Sequence, residues 1–240
     1  MRIIISASPY KVAKFLSFLL LFFTTTGIIA EIFIFLNYPF GSSEWFVELF
    51  DLDAELNLPA WYSSFTLLFC SLILRAITQI KKTARDRYAS YWKILANIFF
   101  FLALDEAFSL HELLIIPSLR ESLNIPSIFY QTWVIVGGIL VLIFLYSYLK
   151  FFWHLPKKVQ RLFLMATLFY LGGALGMEMI GGYVWETYGR LSLAYALSTT
   201  VEEALEMLGI VVFIYGLLYY ISSLAPEVNL QINFSDKAKP

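Results

Sequence analysis

The sequence predicts an all-α fold, a polytopic membrane bundle of six transmembrane helices plus one extracytoplasmic interfacial helix. Three observations predict it. Of the 240 residues, 60% are hydrophobic and only 15% charged, where soluble domains carry about a quarter charged. The apolar residues gather into six runs, at 15–36, 58–78, 93–116, 127–149, 159–180 and 191–221, each long enough for a bilayer that needs roughly 20 residues. Finally, of 17 Lys and Arg residues, only Arg120 and Arg190 fall on one side of the alternating loops. That bias predicts cytoplasmic N- and C-termini.

The first run follows a basic start, Arg2, Lys11 and Lys14. It is long and lacks a small-residue cleavage site, so it reads as a retained helix that also serves as targeting signal. The second ends near Arg75, which can snorkel to the head groups. Between these two, "SSEWFVELFDLDAELNLP" places Trp45, Phe46, Leu49, Phe50, Leu52 and Leu56 on one side of a helical wheel and Glu44, Glu48, Asp51 and Glu55 on the other. Asp53 falls among the apolar residues and breaks the pattern. The segment is expected to lie flat on the outer surface as a lid, and a guard over a cation route would use the same acids. The stretch "KKTARDRYASYWK" suits anionic head groups. Nucleic-acid binding is not expected, because topology already accounts for the basic residues. Trp92, Trp133, Trp153 and Trp185 fall near helix ends, as interfacial belts do. The fifth run holds Gly172 and Gly176 one G-x-x-x-G step apart, a helix-packing signal. Gly137 and Gly138 of the fourth run could face the same seam. The domain organisation is a transmembrane unit over 1–225 and a disordered cytoplasmic tail over 226–240.

"LDEAFSL" at 104–110 resembles "VEEALEM" at 201–207. Each closes a triplet of helices, and the triplets run in opposite senses. That is the pattern of an inverted repeat, 1–116 against 127–221, with a site at the midplane.

Function rests on acids inside the apolar runs. Asp105, Glu106 and Glu112 lie in the third, Glu178 in the fifth, Glu202, Glu203 and Glu206 in the sixth, and Glu31 in the first. At about 1.5 Å per residue, Asp105 lies about 18 Å from the cytoplasmic start of its helix. The Glu202–Glu206 group begins about 17 Å from the outer start of its own helix, so the two clusters meet near mid-membrane. Asp105, Glu106 and Glu112 fit one face of an ideal helix; His111 falls nearly opposite and is the less favoured ligand, better placed to touch another helix. An unpaired carboxylate at the bilayer centre costs about 3 kcal/mol by insertion scales, and no Lys or Arg lies at that depth. The acids must therefore hold protons, line water or bind a cation.

A carboxylate-rich site with at most one imidazole favours a hard or intermediate divalent ion, iron, manganese, magnesium or calcium. A di-iron bundle of the Glu-x-x-His kind does not fit, since His154, the second histidine, sits in the "FWHLPKK" loop. The leading expectation is an intramembrane carboxylate cluster that binds a divalent cation; the sequence leaves open whether the ion is cargo or the cofactor of an enzyme acting on a small lipophilic substrate. The alternatives are a proton- or cation-coupled transporter and an assembly subunit whose acids stay protonated. Membrane lipid is the expected surrounding partner. Hydrolase triads, phosphate loops and dinucleotide fingerprints are missing from the sequence.

Overall fold

A computed structural model describes residues 8–36 and 44–224, and all of the regular structure is helical. The tail expected over 226–240 lies outside the described residues, as does the 37–43 stretch before the lid. Pro9 opens α1 (Pro9–Phe35), where its missing N–H costs nothing. Then come α2 (Glu44–Phe50), α3 (Leu58–Thr83), α4 (Ala89–Phe108), a 3-10 turn (Leu110–Leu114), α5 (Pro117–Leu123), a second 3-10 turn (Ser127–Phe129) and α6 (Trp133–His154). The chain ends in α7 (Lys157–Leu171), a π-helical segment (Gly172–Met177), α8 (Glu178–Tyr188) and α9 (Leu193–Leu224).

Among the described residues, five helices are long and apolar enough to cross a membrane: α1, α3, α6, the continuous α7–π–α8 rod and α9. The sixth expected run, 93–116, is the exception. Its helix α4 stops at Phe108 and carries Lys93, Asp105 and Glu106, so by length and composition it is not among the five. Large apolar side chains of α1 and α6, such as Phe15, Phe18, Leu140 and Leu142, are exposed. Exposed apolar faces of this extent fit lipid rather than water.

Helix α9 is the hub, packing against α1, α3, α7, the π segment and α8. Small residues set the close contacts. Ser64 and Ser71 of α3 donate to the carbonyls of Ala103 and Ala96 on α4, at 2.8 and 2.7 Å, so the two backbones approach closely. A Cβ on Gly209 of α9 would lie 2.6 Å from the Tyr170 nitrogen of α7. Below these contacts Trp92 is only 1% exposed, edge-on to Phe151 and stacked on Tyr220. It belongs to the core, not to an interfacial belt; Trp153, by contrast, is 61% exposed.

The lid helix is much shorter than the amphipathic pattern suggested. It ends at Phe50, after which Asp51 accepts a hydrogen bond from the Asp53 backbone N–H at 2.9 Å and turns the chain. Leu56 takes a left-handed backbone, φ 60°, and Asn57 caps α3 by accepting from Ala60 N–H. The apolar stripe is therefore not buried as one face: Phe50 and Leu52 are buried, while Trp45 and Leu49 within the helix and Leu56 beyond it are exposed.

Candidate functional site

The acids do converge. Asp105 and Glu106, in the last turn of α4, lie next to the middle of α9, where Glu202, Glu203 and Glu206 project. All five are half-buried. Glu106 lies within electrostatic reach of Glu203, Glu55 and Asp105. Glu206 lies within reach of Glu203, Glu106 and Glu178. Glu178, where α8 begins, lines the same small cavity as Glu202. The Tyr170 hydroxyl stands close enough to feel Glu206, Glu106, Asp105 and Glu203. These are carboxylates carried by α4, the π–α8 junction and α9 that lie within electrostatic reach of one another, with Tyr170 beside them.

Glycine makes that approach possible, though not at the positions the G-x-x-x-G step indicated. A Cβ on Gly172 would meet nothing within 4 Å, and one on Gly176 only a carbonyl of its own rod. Gly173 is the contact: its Cβ would sit 2.7 Å from both the Glu202 carbonyl oxygen and Glu206 Cγ. The π segment supplies the register, because its wider turn rotates Gly173 onto α9 just ahead of Glu178. Such segments recur at functional sites. Gly181, eight residues on, is in ordinary contact with α9, its Cβ position 3.6 Å from Ser198 Oγ and 3.9 Å from Glu202 Oε2. Gly137 faces Leu175 of the π segment, while Gly138 faces open space.

Two expected residues change places. An ideal helix through 116 would have put Glu112 inside and His111 outside. Ser109 instead adopts a left-handed backbone, φ 50°, and ends α4. The 3-10 turn that follows folds back over the helix end. His111 Nδ1 then lies 3.2 Å from Asp105 Oδ2, with its ring 5.0 Å from Trp133, while Glu112 is exposed. Of the acids expected to form the site, Asp105, Glu106, Glu178, Glu202, Glu203 and Glu206 lie within electrostatic reach of one another, whereas Glu112 is exposed and reaches the group only through Glu55.

The group also recruits residues the sequence reading left in the lid. Glu55 reaches within 4.0 Å of His111 Nε2 and hydrogen-bonds Ser109. Burial raises the Glu55 carboxyl above its ordinary range; His111 opposes the shift and Glu112 adds to it. Asp53 accepts from the Tyr195 hydroxyl at 2.5 Å and from Arg190 Nε at 2.9 Å. Thr199 hydrogen-bonds the same tyrosine, whereas Ser198 turns back to the Tyr195 carbonyl. Glu31, near the C-terminal end of α1, lies beside Asp51. The sequence did hold one signal for all this: Asp53 was the residue that did not fit the apolar stripe.

Between α8 and α9, a cavity of about 20 Å³ is lined by Glu178, Glu202, Trp185, Tyr195 and Gln131, with room for about one water molecule. Among the described residues, no three His, Cys, Asp or Glu side chains are set where a single ion would touch them all.

His111 lies beyond the end of α4, and its pKa carries a testable consequence. Burial works against its charged form, but the Asp105 hydrogen bond and the Asp105, Glu55 and Glu178 charges more than offset it, so the pKa is raised above 6.5. A raised histidine contributes stability that is full below its unfolded-state pKa and is lost as pH rises through the folded value. His111→Gln is therefore expected to cost roughly 1–2 kcal/mol near pH 6 and much less near pH 9. Melting curves of both proteins across that range check it; a pH-independent difference would mean that His111 is neutral in the fold.

No curated protein and no solved structure matches the chain. One family model covers most of it, from residue 18 to residue 221, a span that contains every acid of the group. By that match the chain belongs to the family described as Domain of unknown function (DUF8692).

Proposed function

We propose that this is an integral membrane protein whose bundle binds a divalent cation in a carboxylate–histidine cluster. The observation that carries the reading is the electrostatic proximity of Glu55, Asp105, Glu106, Glu178, Glu202, Glu203 and Glu206 from one loop and three helices, with His111 as the basic group beside them among the described residues. Carboxylates collected at low dielectric repel one another and need a positive charge. Asp105 fixes the His111 ring through Nδ1 and leaves Nε2 facing Glu55, the arrangement by which a carboxylate orients a metal-binding imidazole. Oxygen donors in this number suit manganese, magnesium, calcium or iron. The ion would draw a few side chains inward by rotamer change to complete its shell.

A second reading, proton transport, is favoured by Glu178 and Glu202 lining one small cavity with room for about one water. Acids placed side by side within a span are the units of proton relays.

The topology belongs to the same proposal. Helix α4 counts as the sixth span, because its charges are those of the cluster and its Lys93 lies near the cytoplasmic end. The basic loops place both termini in the cytoplasm and α2 at the outer surface. An inverted repeat is supported by the packing: α3 pairs with α4 as α7 pairs with α9. Likewise α1 lies on α9 as α6 lies on α4 through Tyr148, Phe151, Tyr91 and Trp92.

Metal analysis of protein purified without chelator tests the reading. A stoichiometric divalent ion in the wild type, lost in Glu203→Gln with the fold intact, is the expected result. Protein without metal that moves protons in liposomes would transfer the case to the second reading.

A further inference from the structure

We propose that the cleft between α8 and α9 is the route by which the cation enters, and that Asp53 latches it shut from the opposite half of the chain. The inference rests on the cation-site reading above. The cleft reaches Glu178 and Glu202 directly, and two of its walls are the rings of Trp185 and Tyr195. Both rings are tied to one carboxylate. Asp53 Oδ1 accepts from the Tyr195 hydroxyl at 2.5 Å. Asp53 Oδ2 accepts from Arg190 Nε and Nη2 at 2.9 and 2.5 Å. The same guanidinium lies 5.4 Å over the Trp185 ring.

The strap that carries Asp53 is anchored elsewhere. Leu52 is buried against α1, where a Cβ on Gly27 would collide with it. Asn57 ties the strap to α3, donating to the Asp51 carbonyl at 2.5 Å while its own carbonyl caps the helix. The latch therefore joins a strap held by α1 and α3 to walls carried by α8, α9 and the turn between them.

With the latch made, the cavity of about 20 Å³ takes about one water-sized particle. A hydrated divalent ion, which gives up its water shell reluctantly, does not pass until Tyr195 and Trp185 part. The bonds themselves are suited to opening. Arg190 is largely exposed, its side chain 54% accessible, and ion pairs with an exposed partner are weak. Asp53 is not among the proposed ligands, so its loss changes access rather than the ion's shell.

The test is the rate of Mn²⁺ uptake by the purified full chain, followed by the loss of the free-ion EPR signal after rapid mixing. Because only the open fraction admits the ion, Asp53→Asn and Arg190→Gln are expected to raise the association rate by about tenfold, with the amount bound at saturation unchanged. Arg190 lies at the surface, so R190Q keeps the question answerable should D53N fold poorly. Equal rates in the wild type and R190Q overturn the latch and leave the cation reading standing. If the wild type binds no Mn²⁺, the cation reading fails, and the latch is judged by carbodiimide modification of Glu202, mapped by mass spectrometry. Faster modification in R190Q upholds it, and an unchanged rate overturns it.

Discussion

Trp92→Ala is expected to lower the unfolding free energy by about 3–5 kcal/mol, the range for deleting a large buried aromatic. The indole is 1% exposed. Its ring centroid lies 4.9 Å from Phe151 of α6, 5.0 Å from Tyr220 of α9 and 6.3 Å from Phe163 of α7. One side chain of α4 thus ties three other helices at the end of the bundle away from the carboxylates. Surrounding rings carried by separate helices collapse poorly into the vacated space, which places the cost at the upper end. The measurement is equilibrium unfolding of the full chain in mixed micelles. A loss below about 1 kcal/mol would fit a tryptophan in an interfacial belt, where the ring is already half in lipid, and would contradict the packing described here.

Gly173→Ala is the second large effect, and it reaches the site. The added Cβ would stand 2.7 Å from the Glu202 carbonyl oxygen and 3.1 Å from the Glu206 nitrogen. Both are backbone atoms of a central helix, so the π segment has to retreat, at a cost of about 1–3 kcal/mol as in other overpacked cores. The retreat pulls Glu178 away from Glu202, and cation binding is expected to weaken with stability. Gly172→Ala is the control. With nothing within 4 Å of its Cβ, it is expected to be neutral or to stabilise by up to about 1 kcal/mol through helix propensity. Equal damage from both variants would restore the G-x-x-x-G interpretation.

These contrasts mark how far the sequence could be read. Bilayer-length apolar runs follow from composition along the chain, so the long apolar helices were legible, five of the six expected among the described residues. The acids of α4 and α9 were legible as two groups within apolar runs, and the electrostatic reach between Glu106, Glu203 and Glu206 links them in the fold. Glu112 and His111 were not legible. Their placement turns on one left-handed residue, Ser109, whose cost is about 1–3 kcal/mol and whose identity as serine carries no strong turn signal. The lid acids were illegible for a similar reason. Asp53 and Glu55 read as the flaws and flank of an amphipathic helix until Asp51 turned the chain and delivered both to partners more than 50 residues away.

The sequence alone determined what the chain had to dissolve in and which charges had to be buried, since hydropathy and charge are local properties of the residues. It also determined that the buried acids would find no lysine or arginine at their depth. Tertiary structure decided which acids lie together, that His111 joins them in place of Glu112, and that Gly173 rather than Gly172 forms the seam. Those outcomes depend on where single residues leave the ideal helix, at Ser109 and in the π segment. A rotation of one residue there redirects every side chain beyond it, and its energy is settled by neighbours from distant parts of the chain.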